Sequence, residues 1–361
     1  MTERPIRVLL IGPSMAITGG QSVMIRQVLE HVGARPEVDI RFQWMNFAVP
    51  FPVNRVPGLR TLVAWLAYLP ILIVRAPRYD VIHAFTAAYW GYYLWVLPAL
   101  GAARLFGKKF ILHYHDGQAK QHLDGWRWAR PTIKRVDALI VPSGFLVDVF
   151  AAYGIRAHVI FNVVDTDRFR FRQRSAISPR LLHNRGHEPL YNVPCALRAF
   201  QRIQATWPNA ELTVAHDGPE RANLEALART LGLRNCHFVG RVKYEDGPAV
   251  YDAADIYLTT PNIDNMPVSL LEASASGLPI VATRAGGIPW IVTDGESALL
   301  VPLDDDAAAA EACLRLLGEP ALVERLTTNA RAALRPYAGA TVAQEWVRVY
   351  REVLAGDALR P

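Results

Sequence analysis

The sequence predicts an α/β protein made of two doubly wound domains, each with a parallel sheet covered by helices. Two observations predict this fold class. Short apolar runs alternate with helical patterns through all 361 residues, and such alternation is typical of parallel strands joined by crossover helices. The chain is also too long for one comfortable hydrophobic core, which favours two domains.

The first half of the chain carries one series of strands. Each candidate is a short run of aliphatic and β-branched residues that is followed by polar or turn-forming residues. The carboxyl ends of parallel strands share one edge of a sheet, where ligands of open α/β sheets bind. The six predicted strands are residues 6–12, 38–44, 80–85, 109–115, 138–143 and 158–162.

A second series of strands follows an arginine-rich, irregular stretch at 165–180, which we interpret as part of a linker near 163–180. A helix near 340–355 could then cross back to the first domain. We therefore predict domains at 1–164 and 165–340, and a C-terminal helix within 341–361. The predicted strands of the second series are residues 180–185, 210–216, 236–240, 255–260, 279–283 and 297–302.

Composition narrows the class of protein. An apolar fraction of 51% excludes general disorder. Cys195, Cys236 and Cys313 are far apart and match no metal-binding spacing, which favours a reducing compartment. The start of the chain lacks the pattern of a cleaved secretory signal. These features predict a cytoplasmic protein without a metal site.

The positive charge is confined to the first half of the chain. Residues 1–165 hold 18 Lys and Arg against 10 Asp and Glu, a net charge of +8, whereas the remainder carries a net charge of −2. This asymmetry indicates an anionic partner, either a nucleic acid or a membrane surface. Because no nucleic-acid-binding motif accompanies the basic residues, we predict peripheral contact with the inner face of the plasma membrane.

Two long apolar segments bear on that prediction. Residues 84–103 contain no charge and have the length of a membrane span, and residues 59–74 are similar. A span at 84–103 would separate two predicted strands of one sheet, and Pro98 interrupts it. We therefore expect both segments to be helices that are either buried in the core or lie at a membrane surface.

Residues 262–279, "NIDNMPVSLLEASASGLP", predict a short helix with one acid, Asp264, just before it and another, Glu272, about one and a half turns inside it. Asn265 is a candidate N-cap, Pro267 fits the first turn, and Gly277 is a candidate C-terminal stop. We therefore expect a helix over 266–276. The free N–H groups at its start form a potential anion site.

Other candidate residues follow predicted strands. Gly19 and Gly20 precede a helix expected near Ser22, and a second glycine pair, 286–287, precedes another helical pattern. His115 ends a strand beside Asp116 and could bond a hydroxyl group. Arg185 ends a strand and suits a diphosphate. The turns at 215–221 and 239–246, the latter including Arg241, could line a nucleobase pocket.

Taken together, these segments resemble the family 4 retaining glycosyltransferases, which have the GT-B fold of two Rossmann-like domains facing across a cleft. The resemblance covers nearly the whole chain. It depends on the order and spacing of Gly19-Gly20, "HYHDG", "NVVDTDRF", "GPERANLEALARTLGL", "FVGRV", the acids Asp264 and Glu272, "EASASGLPIVAT", "GGIPWIV" and "DGESALLVP".

The resemblance implies a nucleotide diphosphate sugar, UDP- or GDP-linked, as donor and a carbohydrate or lipid-linked acceptor. Asp264 would contact sugar hydroxyls, Glu272 the ribose, and His115 the donor sugar. Gly19 and Gly20 would make room for the diphosphate and acceptor. Backbone amides of the loop and helix start would bind the phosphate, and with Arg185 they stabilise its growing charge. The donor-binding residues implied at that helix start are Asn265, Met266, Pro267, Val268 and Ser269.

The implied chemistry is transfer with retention by a front-face route, without an obligatory metal, because no carboxylate stands at a dependable position beneath the sugar. Some positions depart from the family pattern. Tyr191 occupies the place of a phosphate-binding Lys, Arg185 is shifted by one residue, and Asp264 replaces a Glu.

Three alternatives to a transferase with a membrane-presented acceptor remain open. The same enzyme could use a soluble acceptor. The chain could bind nucleotide sugars without catalysis. A sugar-nucleotide epimerase is a more distant possibility, since no acid/base pair can be placed for it.

Overall fold

The computed structural model describes residues 4–14, 20–45, 55, 57–86, 89–174, 176–357 and 359. The chain divides into two compact units. The first contains the residues up to Val163 together with those from Gly339 onward, and the second contains Val164–Ala338. The chain passes from the first unit to the second between Val163 and Val164, one residue before the predicted boundary between 164 and 165. The C-terminal helix belongs to the first unit.

The first unit contains a six-stranded parallel sheet in the order β2-β1-β3-β4-β5-β6. The chain adds β2 on one side of β1 and the other strands on the opposite side, so the strand order reverses between β1 and β3. The strands are β1 (Ile6–Gly12), β2 (Val38–Trp44), β3 (Val81–Phe85), β4 (Lys109–His113), β5 (Ala138–Val141) and β6 (His158–Val159).

Helices connect these strands, as an alternating α/β sequence requires. Two of them are continuous with π turns, at Val28–Val32 and Tyr92–Val96. The helices are α1 (Gly20–Gln27), α2 (Pro57–Arg75), α3 (Leu97–Leu105), α4 (Ala119–Gly125), α5 (Ala129–Ile133) and α6 (Gly144–Ala151). The helix after the second unit, Gly339–Ala355, is α13, and its Tyr350 hydroxyl lies 2.9 Å from His83 Nδ1 of β3.

The second unit repeats the same plan. Its sheet is parallel, in the order β12-β11-β10-β7-β8-β9. The strand order reverses between β7 and β10. The strands are β7 (Arg180–Asn184), β8 (Glu211–Ala215), β9 (Cys236–Gly240), β10 (Ile256–Thr259), β11 (Ile280–Thr283) and β12 (Leu299–Val301). The helices are α7 (Val193–Thr206), α8 (Arg221–Thr230), α9 (Gly247–Ala253), α10 (Val268–Ala275), α11 (Asp306–Gly318) and α12 (Pro320–Ala332).

All twelve predicted strands are present, but several end earlier than predicted. β4 stops at His113, so His115 lies just beyond the strand rather than on it. The sheet contacts continue past the strand, since the Tyr114 N–H donates to Ile140 O at 2.8 Å. The predicted start of α1 at Ser22 is also wrong, because the helix begins at Gly20.

The helix that contains Glu272 is shorter than predicted. It spans Val268–Ala275, and its N-cap is Pro267, not Asn265. A residue that precedes proline avoids the helical region, so Met266 cannot join the helix. The predicted stop at Gly277 is confirmed. Gly277 has φ +72°, and the N–H groups of Gly277 and Leu278 close the helix on Ser274 O and Ala273 O at 3.1 and 2.9 Å.

The arginine-rich stretch is not a free linker. Arg174 is buried, and its Nη2 donates to Ala254 O at 2.9 Å. Arg172 and Arg180 both donate to the buried carboxylate of Asp255 at 2.8 Å. These bonds fix the start of the second unit against the loop before β10, which explains why this stretch is irregular and basic.

Candidate functional site

A buried ion pair lies where the strand order of the second unit reverses. Arg185 directly follows β7, and Asp264 lies in the loop after β10, the neighbouring strand. Arg185 Nη2 donates to Asp264 Oδ2. The two side chains are only 14% and 10% exposed. The fold thus brings two of the predicted site residues together at the edge where such sheets bind ligands.

The Arg185 guanidinium makes a contact besides its bond to Asp264. Its central carbon lies 4.3 Å from the centre of the Tyr191 ring, a cation–π contact. Its buried Nε has no hydrogen-bond partner among the described residues. Burial is the largest influence and opposes the charge, but Asp264 together with Tyr191, Tyr257 and Tyr251 outweighs burial, so the pKa of Arg185 is raised. Arg185 therefore stays charged.

Asp264 is held by the turn that follows β11. The Gly287 N–H donates to Asp264 O at 2.8 Å. A Cβ atom on Gly287 would stand 1.8 Å from Asn265 O, so only glycine permits this approach. Burial raises the pKa of Asp264, while Arg185 and the Asn265 N–H oppose that shift. The predicted glycine turn thus fixes the backbone of the acidic loop.

Glu272 lies in α10 and belongs to a second polar cluster. The Tyr251 hydroxyl donates to Glu272 Oε2 at 2.6 Å, and Asn184 Nδ2 donates to that hydroxyl at 3.0 Å. Burial raises the pKa of the Glu272 carboxyl, and the Tyr251 bond opposes the shift. Because Asn184 immediately precedes Arg185, one strand end positions both acids.

The start of α10 offers a ligand little side-chain surface. Asn265, Met266, Pro267 and Ser269 are buried, whereas Val268 is half-buried. A ligand could therefore meet this helix start mainly at backbone atoms near Val268. This is the kind of contact that the resemblance implies for a donor phosphate.

The turns after β8 and β9 lie side by side. The His216 N–H donates to Gly240 O at 2.7 Å. Arg241, which follows Gly240, is exposed and has a bonding partner. The two predicted nucleobase turns are therefore adjacent.

In the first unit, Gly19 lies outside the described residues, and Gly20 forms the first residue of α1. The next residue, Gln21, donates from Nε2 to Thr86 O at 2.7 Å. This bond joins the helix start to the segment after β3. It places the start of α1 at the point where the strand order of the first sheet reverses.

His115 is half-buried and lies at the end of a stacked row of rings whose other members are buried. It packs parallel to Phe85, with ring centres 5.2 Å apart, and lies 4.1 Å from the His113 ring. Burial lowers the pKa of His115 to about 3, so the imidazole is neutral. The neighbouring Asp116 accepts a bond from the Gln118 N–H at 2.8 Å.

The row continues from His113 into the core. His113 Nδ1 lies 3.2 Å from His83 Nε2, and His83 Nδ1 lies 2.9 Å from the Tyr350 hydroxyl of α13. Trp346 stacks on His83 at 4.4 Å. His113 is thus a buried histidine with a bonding partner, in line with the expectation that it belongs to the core.

Sequence reasoning missed Tyr251, Asn184, His83 and Tyr350. Tyr251 bonds Glu272, and Asn184 bonds Tyr251. Tyr350 contacts His83, and His83 contacts His113. The partners in each pair are far apart in the sequence, and no local motif marks them. Within the described ranges, no three His, Cys, Asp or Glu side chains are grouped as a metal site.

Comparison with known proteins identifies the family. A model of "Glycosyltransferase Family 4" matches residues 18–168, and one of "Glycosyl transferases group 1" matches residues 178–333. The chain is 31% identical over 209 residues to a phosphatidyl-myo-inositol mannosyltransferase of Mycobacterium leprae, covering 56% of this chain and 55% of that relative. The chain thus spans about half the length of that curated relative.

Other relatives match over more of the chain. A glycogen synthase of Mycobacterium tuberculosis is 27% identical over 304 residues, covering 78% of this chain and 71% of the relative. HepE of Anabaena, crystallised with UDP and glucose, superposes with a TM-score of 0.76 at 17% identity, covering 96% of this chain and 99% of HepE.

A sucrose-phosphate synthase of Thermosynechococcus elongatus superposes with a TM-score of 0.77 at 19% identity, covering 98% of this chain and all of that chain. The solved structures agree with the two parallel sheets of the GT-B fold. The two family models together cover most of the sequence in the predicted order. The chain therefore belongs to the family 4 glycosyltransferases and has the GT-B fold.

Proposed function

We propose that this protein is a retaining glycosyltransferase that moves a sugar from a nucleotide diphosphate sugar to an acceptor hydroxyl. Membership of the family supports the reaction class. The observation that carries the proposal is the Arg185–Asp264 pair at the carboxyl edge of the second sheet, with Glu272 nearby. A cation and two acids there suit a ligand with a diphosphate and two sets of sugar hydroxyls.

In this proposal, Glu272 accepts bonds from the ribose and Asp264 from the transferred sugar. Arg185 binds the diphosphate through its guanidinium, while it keeps Asp264 ionised. Backbone groups around Val268 bind the phosphate, and His115 contacts the donor sugar as a neutral imidazole. The donor is a UDP- or GDP-sugar. HepE, the structural relative, was crystallised with UDP and glucose.

We propose a front-face route for the chemistry. A double displacement needs a free carboxylate beneath the anomeric carbon, but Asp264 is bound to Arg185. The departing phosphate oxygen instead accepts the proton of the acceptor hydroxyl while the new glycosidic bond forms on the same face. Arg185 stabilises the charge that grows on the diphosphate. This arrangement requires no resident metal.

The proposed acceptor is lipid-linked or membrane-presented, in cell-envelope polysaccharide or glycolipid assembly. The excess of basic residues in the first half of the chain supports it. The mannosyltransferase relative is also named for a phospholipid. We therefore propose that the protein works in the cytoplasm, on the inner face of the plasma membrane.

A panel of UDP-, GDP-, ADP- and CMP-sugars in a thermal-shift screen tests donor binding. A binder at a hundredfold excess over its Kd adds about 2.7 kcal/mol of stability. Glu272→Ala should lose the shift, whereas Glu311→Ala, an exposed acid of α11, should keep it. NMR of the product anomer then tests retention. No shift with any donor, or an inverted product, would contradict the proposal.

A second candidate is a nucleotide-sugar-binding protein without catalysis. It is favoured by one observation, namely that Tyr191 replaces the expected phosphate-binding Lys and contacts Arg185. Measurable donor affinity, with neither donor hydrolysis nor transfer to any acceptor in a panel, would support this candidate over the enzyme.

A further inference from the structure

Helix α2 carries an apolar face that the rest of the protein does not cover. Leu62, Leu66 and Val74 are 51%, 54% and 57% exposed. The exposed positions recur every three or four residues, which places them on one side of the helix. We call this side the exposed α2 face, and its large residues are Leu59, Leu62, Val63, Leu66, Ile73 and Val74.

The opposite side of α2 is anchored in the first unit. Ala64, Tyr68 and Leu72 are buried in its core. The Tyr68 hydroxyl donates to Trp95 O at 3.1 Å, and the two rings pack edge to face. The helix is therefore held in place by one side. A continuous apolar face on its other side marks an interaction surface, whereas single exposed apolar residues would not.

The charges around this face select its partner. Arg60 and Arg78 are exposed and stand near the two ends of the helix, which contains no acid, whereas Arg75 is bonded to Gln43 and Tyr79. Between residues 40 and 115 the chain has eight Lys and Arg but a single acid, Asp80. That acid is bound by Arg4 and Arg7. A partner that is apolar within and anionic at its surface matches this pattern, and an anionic lipid bilayer has both properties.

The helix lies on the bilayer in this arrangement and does not span it. Among the described residues, one helix, Gly58–Arg78, is long and apolar enough to cross a membrane. However, it connects β2 to β3, and both strands pair with β1 in one parallel sheet. A span would place those two strands on opposite sides of the membrane and break the sheet.

We propose that the exposed α2 face inserts into the headgroup boundary of an anionic bilayer, with the arginines at its ends on lipid phosphates. Helices of this kind enter the boundary by about 5–10 Å. The inference deepens the proposed function, on which its biological meaning rests, because it brings the first unit to the membrane that presents the acceptor.

Vesicle flotation of the full-length protein tests the proposal. Vesicles contain equal parts of phosphatidylglycerol and phosphatidylcholine, or phosphatidylcholine alone. The test variant is Leu62→Glu/Leu66→Glu, which puts two charges into the exposed α2 face. The matched control is Leu303→Glu/Leu354→Glu, two exposed leucines outside that helix. Circular dichroism and the donor-induced thermal shift verify that each variant folds.

The wild type and the control should float with the anionic vesicles and bind phosphatidylcholine weakly, and added salt should weaken the binding. The test variant should bind at least about tenfold less. Equal flotation of the test variant and the wild type would overturn the proposal. So would a wild-type dimer in light scattering that the test variant converts to monomer, which would make the face a contact between copies. A missing donor shift with intact flotation would reject the proposed function alone.

Discussion

At the residue scale, the candidate site is built from charges that stabilise each other. Arg185 and Asp264 are both largely enclosed, and each favours the charged form of the other. Removing one member of a buried ion pair leaves an uncompensated charge, which costs more than removing both. The pair can therefore be tested without any knowledge of the ligand.

We expect Arg185→Leu to destabilise the second unit by about 3–5 kcal/mol, and the double variant Arg185→Leu/Asp264→Leu by less than the sum of the single variants. Urea unfolding at pH 7.5 of the wild type, Arg185→Leu, Asp264→Leu and the double variant measures this double-mutant cycle. Additive losses would show that the two side chains act independently.

His115 yields a prediction about pH. Its pKa of about 3 means that the imidazole stays neutral from pH 5 to pH 8, so its own ionisation contributes no step near pH 6.5. If His115 contacts the donor sugar, His115→Ala should lower kcat at least about tenfold and change the donor KM little. His237→Ala, an exposed histidine, is the control. A loss of activity centred at pH 6.5 that disappears in His115→Ala would contradict the assignment.

The residue types of the site were predictable, but their partners were not. Arg185 stands out in the sequence because it lies at a strand end, and Asp264 and Glu272 because they belong to one recognisable motif around the start of a helix. Tyr251 reaches Glu272 from α9, and Tyr350 reaches His83 across 267 positions of the chain. Such pairings depend on how distant elements pack, and no local pattern encodes them.

At the element scale, the strands were predictable because a fully buried parallel strand is a continuous apolar run. Helix starts were less predictable. Pro267 was expected within the first turn of α10, but it is the N-cap, since its own ψ of 111° is extended rather than helical. The exposure of α2 could not be predicted from the sequence either, because an apolar helix has the same residue pattern whether protein or lipid covers it.

The end of α10 gives a prediction at this scale. Gly277 has φ +72°, and a Cβ atom there would stand 2.5 Å from Arg172 O. Gly277→Ala should therefore destabilise the second unit by at least about 1–2 kcal/mol, the cost of the left-handed conformation alone. Gly318→Ala is the control, because no atom lies within 4 Å of its Cβ position. Similar urea midpoints for the two variants would show that Gly277 tolerates a side chain.

At the scale of the whole molecule, the first unit is built around buried neutral histidines. His83, His113 and His115 adjoin one another, and burial lowers the pKa of each, to about 3 for His83 and His115. The unfolded chain protonates these side chains near their ordinary pKa of about 6.5. Between those values the unfolded state binds more protons, so stability falls as pH falls below about 6.5.

Each fully buried histidine should cost about 2 kcal/mol of stability at pH 5. We therefore expect the melting temperature in calorimetry to fall between pH 7.5 and pH 5. His83→Gln removes one titrating ring but keeps polar atoms near Tyr350 and His113. Its melting temperature should therefore fall less between pH 7.5 and pH 5 than that of the wild type, whatever its absolute stability. His237→Gln, at an exposed position, should match the wild type. Tyr350 of α13 contacts His83 in this row. An equal fall of the melting temperature in His83→Gln and His237→Gln would mean that the row of His83, His113 and His115 does not govern the loss of stability at acid pH.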